Sequence, residues 1–156
     1  MNRRRFVALP LPLTLHALDA RPTVPDFRAR SLAKESFTKA GLKGKVVLIQ
    51  FWATWCGFCR KDQPEIDDVY MDLAGKGLQV LAVNVGESGP KVAAYIQKAP
   101  RMVPVVLDTE TDLAERFPTN AFPTYVLMSR EGKLAGTATG AIGYDGLLRL
   151  LKTAGL

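Results

Sequence analysis

The sequence has very few of the side chains that metal sites and disulfide frameworks require. Of 156 residues, one is histidine, His16, and two are cysteines, Cys56 and Cys59. A structural zinc site needs about four nitrogen or sulfur ligands, so the sequence predicts no metal site. Because the only cysteines form a single Cys-x-x-Cys pair, a scaffold built from several disulfides is excluded as well.

Long apolar runs are also missing. The stretch 6–18 is mostly apolar, but a transmembrane helix needs about 20 such residues. It follows a basic start, residues 1–5, and precedes the small residue Ala20, which is the layout of an export signal. We therefore predict a signal segment over 1–20, a single domain over 21–156, and a periplasmic or otherwise extracytoplasmic location, membrane-anchored where the segment is retained. A frayed basic terminus is the alternative.

The formal net charge of +6 raises the question of a nucleic-acid partner. Three of the positive charges are Arg3, Arg4 and Arg5, within the predicted signal segment. The remaining lysines and arginines are scattered singly among acids, and no basic stripe is interleaved with aromatic residues. This pattern indicates a solvated surface, so we expect no nucleic-acid partner.

The hydrophobic pattern alternates between buried strands and amphipathic helices. Residues 46–51 form a β-branched-rich run typical of a strand covered on both faces. The other predicted elements are an extended lead-in 21–44, a helix from the cysteines to Gly75, a strand 78–85, a helix starting at Ser88-Gly89-Pro90, a strand 103–107, a short helix 112–117, a hairpin of 125–128 and 133–139 around Gly132, and a last helix containing Tyr144 and Leu151. We expect an α/β fold with a mixed central sheet flanked by helices.

The cysteine pair lies at the junction of the central strand and the next helix. Cys56 begins the helix, where unpaired backbone N–H groups favour a thiolate. Cys59 lies one turn later, within reach for a disulfide. The pair predicts thiol–disulfide exchange, in which Cys56 attacks a substrate disulfide and Cys59 resolves the mixed disulfide. The Cys56–Cys59 disulfide would be the redox group, with no other cofactor. A structural or metal-binding Cys-x-x-Cys is the alternative.

The residues around this pair resemble a known family. The segment Phe51-Trp52-Ala53-Thr54-Trp55-Cys56-Gly57-Phe58-Cys59 resembles the thioredoxin superfamily, and more narrowly its exported TlpA/ResA-like branch. Pro25-Asp26-Phe27, Asn84-Val85-Gly86-Glu87-Ser88 and Phe122-Pro123-Thr124 extend the resemblance. The resemblance implies a thioredoxin fold with an N-terminal extension and an inserted helix-strand unit over 88–107. It also implies a cis Phe122–Pro123 bond opposite the cysteines, with Phe58, Phe122 and Pro123 binding an extended substrate.

Other residues near the pair are candidates for tuning or supporting it. Asp62 follows Cys59 by three residues, where the resemblance implies a tuning carboxylate, typically glutamate in that branch. A nearby carboxylate opposes thiolate formation, which would make the site a reductant. A solvated helix acid is the alternative. Glu87 is a second candidate, against an ordinary helix-start acid. Trp55 is predicted to form an apolar rim and Trp52 to lie in the core.

Several functions fit these observations. The preferred one is a monomeric reductant of protein disulfides that acts outside the cytoplasm. Its substrates would include apocytochromes in cytochrome c maturation, and a membrane-linked donor would supply its electrons. A disulfide oxidant or isomerase would use the same fold with the opposite electron flow. A thiol peroxidase is a third hypothesis because Thr54 precedes Cys56 by two residues. The fourth is a binding module that keeps the fold without catalysis.

Overall fold

The computed structural model describes residues 19–156, so nearly all of the predicted signal segment lies outside the described residues. The strands are β1 Arg28–Ser31, β2 Ser36–Thr38, β3 Val46–Trp52, β4 Leu78–Asn84, β5 Val105–Thr111, β6 Thr124–Met128 and β7 Leu134–Thr139. The helices are α1 Gly57–Leu73, α2 Gly89–Lys98, α3 Leu113–Arg116 and α4 Gly143–Lys152. Among residues 19–156, none of the helices combines the length and the apolar character that a membrane crossing requires.

All seven strands form one sheet in the order β2-β1-β5-β4-β3-β6-β7. Strands β3, β4 and β5 are parallel to one another, whereas β1, β2, β6 and β7 pair antiparallel with their neighbours. The prediction of a mixed sheet flanked by helices is confirmed. The two parallel connections place the carboxyl ends of β3 and β4 at the same edge of the sheet, which is the edge where the cysteines follow β3.

Strand β3 is buried along its whole length because a hydrophobic cluster covers each face of the sheet. On one face, Leu48 and Trp52 pack with α1, α2 and α4. On the other, Ile49 and Phe51 pack in a cluster that includes residues from β1, β5 and α3. Side chains alternate across a strand, so a strand covered on both faces is apolar at nearly every position, and Gln50 is the one polar exception in β3.

The prediction for β5 was wrong in its bounds, since the strand begins at Val105 and continues to Thr111. Its pairing with β4 ends at Leu107, opposite Asn84. Beyond that point β5 pairs on one side only, with β1, where Ala29 lies opposite Thr111. Polar, partly exposed residues are tolerated in this half of the strand, and their polarity hid it from sequence analysis.

Candidate redox-active site

Cys56 and Cys59 are joined in a disulfide at the start of α1. Cys56 is the N-cap of the helix, with extended backbone angles, and the Cys59 N–H donates to its sulfur at 3.1 Å. The Cα atoms lie 5.2 Å apart, so the bond closes within one helical turn. Both residues are buried, with 5% and 3% exposure. A sulfur at this position lies next to the partial positive charge of the helix N-terminus, and this charge stabilises a thiolate after the disulfide is reduced.

The loop before β6 lies beside the cysteines. The Phe122–Pro123 bond is cis, as the family resemblance implied, and Pro123 is buried. The next residue, Thr124, pairs with Phe51 near the end of β3, which brings the loop to the edge where Cys56 follows that strand. The Phe122 ring contacts the Trp55 ring edge-on, with centroids 5.9 Å apart.

Two large apolar side chains flank the buried sulfurs and face solvent. Trp55 is 64% exposed and Phe58 is 65% exposed, whereas Trp52 is buried in the core as predicted. Isolated exposed apolar residues are ordinary, but two of this size on either side of a reactive cysteine form a local contact surface. We call Trp55, Phe58 and Phe122 the aromatic rim.

Asp62 is buried rather than solvated, with 1% exposure, so the alternative of a solvated helix acid was wrong. Its carboxylate accepts hydrogen bonds from the Tyr125 hydroxyl and the Ile142 N–H, both at 2.8 Å, and from the Gly143 N–H at 3.1 Å. It therefore ties α1 to the start of α4. Burial, with the hydrogen bond to Asp62 as a further cause, raises the pKa of Tyr125, so its phenol remains a proton donor to the carboxylate.

Glu87 fixes the segment that leads into Cys56. Its carboxylate accepts from the N–H of Thr54 at 2.7 Å, from the Thr54 hydroxyl at 2.6 Å and from the Asn84 side-chain amide at 2.8 Å. Lys91, the third residue of α2, forms an ion pair with it at 2.8 Å. Glu87 precedes Ser88, the N-cap of α2, and no acid lies in the first turn of that helix, so its contacts join α2 to the loop carrying Cys56.

The electrostatic state of Glu87 follows from these contacts. Burial alone would raise the pKa of this carboxyl, but the hydrogen bonds from its three neighbours outweigh burial and lower the pKa from 4.5 to about 2. Since the folded-state pKa lies below the unfolded-state value, the ionised carboxylate stabilises the fold above about pH 4.5. That contribution is lost as the pH falls toward about 2.

Replacing Glu87 with glutamine should lower the free energy of unfolding by on the order of 2 kcal/mol at neutral pH. The loss should shrink in acid, because the parent protein loses the same contribution there. Urea unfolding between neutral pH and about pH 2 measures both effects. Glu110→Gln, which changes an exposed glutamate, is the matched control and should leave the pH profile unchanged. Parallel profiles for Glu87→Gln and the parent would contradict the assignment.

Sequence analysis missed a buried polar cluster beneath the site. The Arg101 side chain is 1% exposed and pairs with Asp67 at 3.4 Å. Its guanidinium also donates to the Gln50 side-chain oxygen, at 3.4 and 3.5 Å, and lies 5.8 Å from the centre of the Trp52 ring. The visible signal was Gln50, a lone polar residue within an otherwise apolar strand. Such a residue in a fully buried strand requires a polar partner.

This arrangement defines a class of protein. A helix-start cysteine, a second cysteine one turn later and a cis-proline loop beside both allow a disulfide to be exchanged with an extended peptide. The chain is accordingly a thioredoxin-fold thiol-disulfide oxidoreductase. Comparison with known families narrows the assignment: the Redoxin family matches residues 20–144, and the chain belongs to that family.

Individual relatives agree with this assignment. The thiol-disulfide oxidoreductase ResA of Bacillus subtilis (strain 168) is 33% identical over 118 residues, which cover 76% of this chain and 66% of the relative, just under two thirds of its length. ResA of Geobacillus thermodenitrificans (strain NG80-2) is 28% identical over 131 residues, covering 84% and 75%. The resemblance to the TlpA/ResA-like branch is thereby confirmed.

Solved structures show the same fold. A thiol:disulfide interchange protein of the thioredoxin family from Chlorobium tepidum TLS superposes with a TM-score of 0.77 at 26% identity, over 86% of this chain and 96% of that one. The exposed lipoprotein thioredoxin Etrx1 of Streptococcus pneumoniae strain TIGR4 gives a TM-score of 0.74 at 27% identity, over 82% and 98%. The predicted thioredoxin fold is confirmed.

Proposed function

We propose that this protein is a reductant of protein disulfides outside the cytoplasm, with Cys56 as the nucleophile and Cys59 as the resolving thiol. The proposed direction of electron flow, from this protein to its substrate, rests on the buried carboxylate of Asp62, which lies one turn of α1 beyond Cys59. A carboxylate held in the interior by donated hydrogen bonds opposes a second negative charge nearby. It therefore disfavours the thiolate and makes the dithiol form more ready to give up its electrons.

The exchange proceeds in two balanced steps. The Cys56 thiolate attacks one sulfur of the substrate disulfide, a mixed disulfide forms, and the other substrate sulfur leaves as a thiolate that takes up a proton. Cys59 then loses its proton and attacks the Cys56 sulfur, which releases the second substrate thiolate and closes the Cys56–Cys59 disulfide. Two electrons have passed to the substrate. A membrane-linked dithiol donor supplies two electrons and two protons to restore the pair.

The aromatic rim and the proline loop serve substrate binding in this proposal. Trp55 and Phe58 expose about two thirds of their surface, and Phe122 contacts Trp55. An extended peptide lying along Pro123 would cover these rings and exclude water from the reacting sulfurs. Substrates with apolar residues next to their cysteines fit this surface best, and unfolded apocytochromes belong to that chemical class.

The proposed location rests on the sequence and on the relatives. Residues 1–20 have the layout of an export signal, and one structural neighbour is described as an exposed lipoprotein. Disulfide reductants act on substrates that have been oxidised, which occurs mainly outside the cytoplasm. We propose that the protein is a monomer that is either anchored in the membrane or released from it.

The peroxidase hypothesis is disfavoured by one contact. A peroxidatic threonine must turn its hydroxyl toward the peroxide at the cysteine, but the Thr54 hydroxyl donates to Glu87 at 2.6 Å. The proton of the Thr54 hydroxyl is used in this hydrogen bond, because the lowered pKa of Glu87 keeps its carboxylate ionised well below neutral pH. The oxidant or isomerase hypothesis shares every feature of the site and differs only in the reduction potential, which an equilibrium with glutathione measures directly.

Replacing Asp62 with asparagine should make the pair more oxidising, because it removes the charge that opposes the thiolate. We expect the equilibrium constant with glutathione to shift about tenfold toward the dithiol form, together with a larger thiolate fraction by ultraviolet absorbance at neutral pH.

Two variants control this experiment. Asp62→Glu retains the charge and should stay near the parent value, and Asp68→Asn, an exposed position on the same helix, should have no effect. If Asp62→Asn left both the equilibrium constant and the thiolate fraction unchanged, the carboxylate would be purely structural and the reductant assignment would lose its support.

A further inference from the structure

Positive charge is concentrated at the end of the molecule opposite the cysteines. We call this surface the basic pole. Its cations lie around the amino ends of β3 and β4 and the β6–β7 turn, and they are Lys39, Lys43, Lys45, Lys76, Arg130 and Lys133. Arg130 holds the surface together, since its guanidinium donates to the carbonyl oxygens of Gly44 at 2.9 Å and Lys76 at 3.0 Å.

The count of charges shows how uneven the distribution is. Two acids, Asp26 and Glu131, lie at the basic pole, so its six cations leave a net +4. The whole chain has 21 lysines and arginines and 15 acids, and three of the arginines precede residue 19, which leaves +3 for residues 19–156. The rest of the described chain is therefore net −1. The net positive charge of residues 19–156 therefore comes from the basic pole. Arg21, which lies beside the basic pole, is neutralised by its ion pair with Asp19.

The chain also enters the domain at the basic pole. Thr23 forms a β-bridge with Lys133, and the Val24 N–H donates to the Gly132 carbonyl at 3.0 Å. Thr23 and Val24 therefore lead into the domain at this surface. The cysteines follow the far end of β3, whose seven residues span roughly 20 Å at about 3.3 Å per residue.

We propose that the basic pole is a contact surface for anionic phospholipid headgroups. Lys43, Lys45 and Lys76 are exposed, which suits attraction to a charged plane, whereas Lys39 and Lys133 are half-buried. A surface for single-stranded nucleic acid would carry aromatic residues for base stacking, but the exposed Trp55 and Phe58 lie at the opposite end, and the binding of duplex DNA is an outcome of the test below. Docked this way, the aromatic rim faces away from the bilayer, toward soluble substrates. The inference does not depend on the direction of electron flow.

Vesicle binding by the full-length protein tests this proposal. We expect binding to phosphatidylcholine vesicles containing about a third phosphatidylglycerol to exceed binding to phosphatidylcholine alone, and the excess to fall with added salt. Lys43→Glu/Lys45→Glu should reduce the excess about tenfold or more. Arg60→Glu/Lys61→Glu makes the same charge change near the cysteines, on exposed residues of α1, and should retain the excess.

Several results would overturn the proposal. They are an equal loss in both double variants, no dependence on phosphatidylglycerol, displacement by inorganic phosphate at matched ionic strength, or tighter binding of duplex DNA than of anionic vesicles. The melting temperature and disulfide-reducing activity of Lys43→Glu/Lys45→Glu should match those of the parent, because neither lysine contacts the redox site. This readout separates a failure of lipid binding from a failure of the fold or of the proposed function.

Discussion

Cys56→Ser should abolish disulfide reduction, with a loss of at least about a thousandfold in the second-order rate constant. The thiolate is the attacking species, and a hydroxyl at the same position is not ionised near neutral pH. Reduction of a protein disulfide such as that of insulin, followed by turbidity, measures the effect. Since Cys56 is the N-cap of α1, and serine is a preferred N-cap residue, the variant should fold normally.

Cys59→Ser should behave differently, and this difference identifies the roles. Cys56 would still attack a substrate, but without the second thiol the mixed disulfide would persist and become isolable. Mass spectrometry of the trapped species would name the partners. If the Cys56→Ser protein also formed such adducts through Cys59 at a comparable rate, the assignment of Cys56 as the nucleophile would be contradicted. Residual activity of Cys56→Ser well above about 0.1 per cent of the parent, the level left by a thousandfold loss, would contradict the mechanism.

The second large effect is expected for the buried ion pair of Arg101 and Asp67. Asp67→Leu should lower the free energy of unfolding by about 3–5 kcal/mol, because the guanidinium remains buried and, among residues 19–156, keeps only the neutral side chain of Gln50 as a hydrogen-bond partner. Burial raises the pKa of Asp67 and Arg101 opposes that shift only in part, so desolvation is already costly in the parent. Urea unfolding of the oxidised protein measures the change.

A double variant separates the loss of a contact from the exposure of an unpaired charge. Arg101→Met/Asp67→Leu removes both charges and keeps the volume, so it should recover most of the stability lost in Asp67→Leu. A double variant less stable than Asp67→Leu would show that the guanidinium contributes chiefly through its contacts with Trp52 and Gln50. The expected coupling between the two positions would then be absent.

The elements that the sequence predicted well are those whose signals are local. The run 46–51 is apolar because both faces of β3 are covered, and the helix start at Cys56 follows it directly. The reactive pair could be found because two cysteines spaced by two residues carry their own chemistry. Strand β1 could not be placed in the same way, since its pairing with β5 depends on a segment some 80 residues away, at Thr111.

The polar contacts around the site could not be predicted because they join distant positions. Glu87 binds Thr54 across a separation of 33 residues, and Arg101 reaches Gln50 across 51. Nothing in the local sequence of Glu87 distinguishes a residue that holds the active-site loop from an acid that merely begins a helix. The position of Asp62 three residues after Cys59 is visible in the sequence, but its hydrogen-bond donors come from β6 and the start of α4.

The hydrogen bonds from Ile142 and Gly143 to Asp62 affect the order in which the protein matures. A ribosome synthesises both cysteines long before it reaches the residues that complete the carboxylate's hydrogen bonds. Until the last helix has been made and has docked, the nascent chain carries a dithiol without its final environment. The hydrogen bonds of this carboxylate, and with them the proposed tuning of the cysteines, are therefore complete only after α4 has been synthesised and has docked.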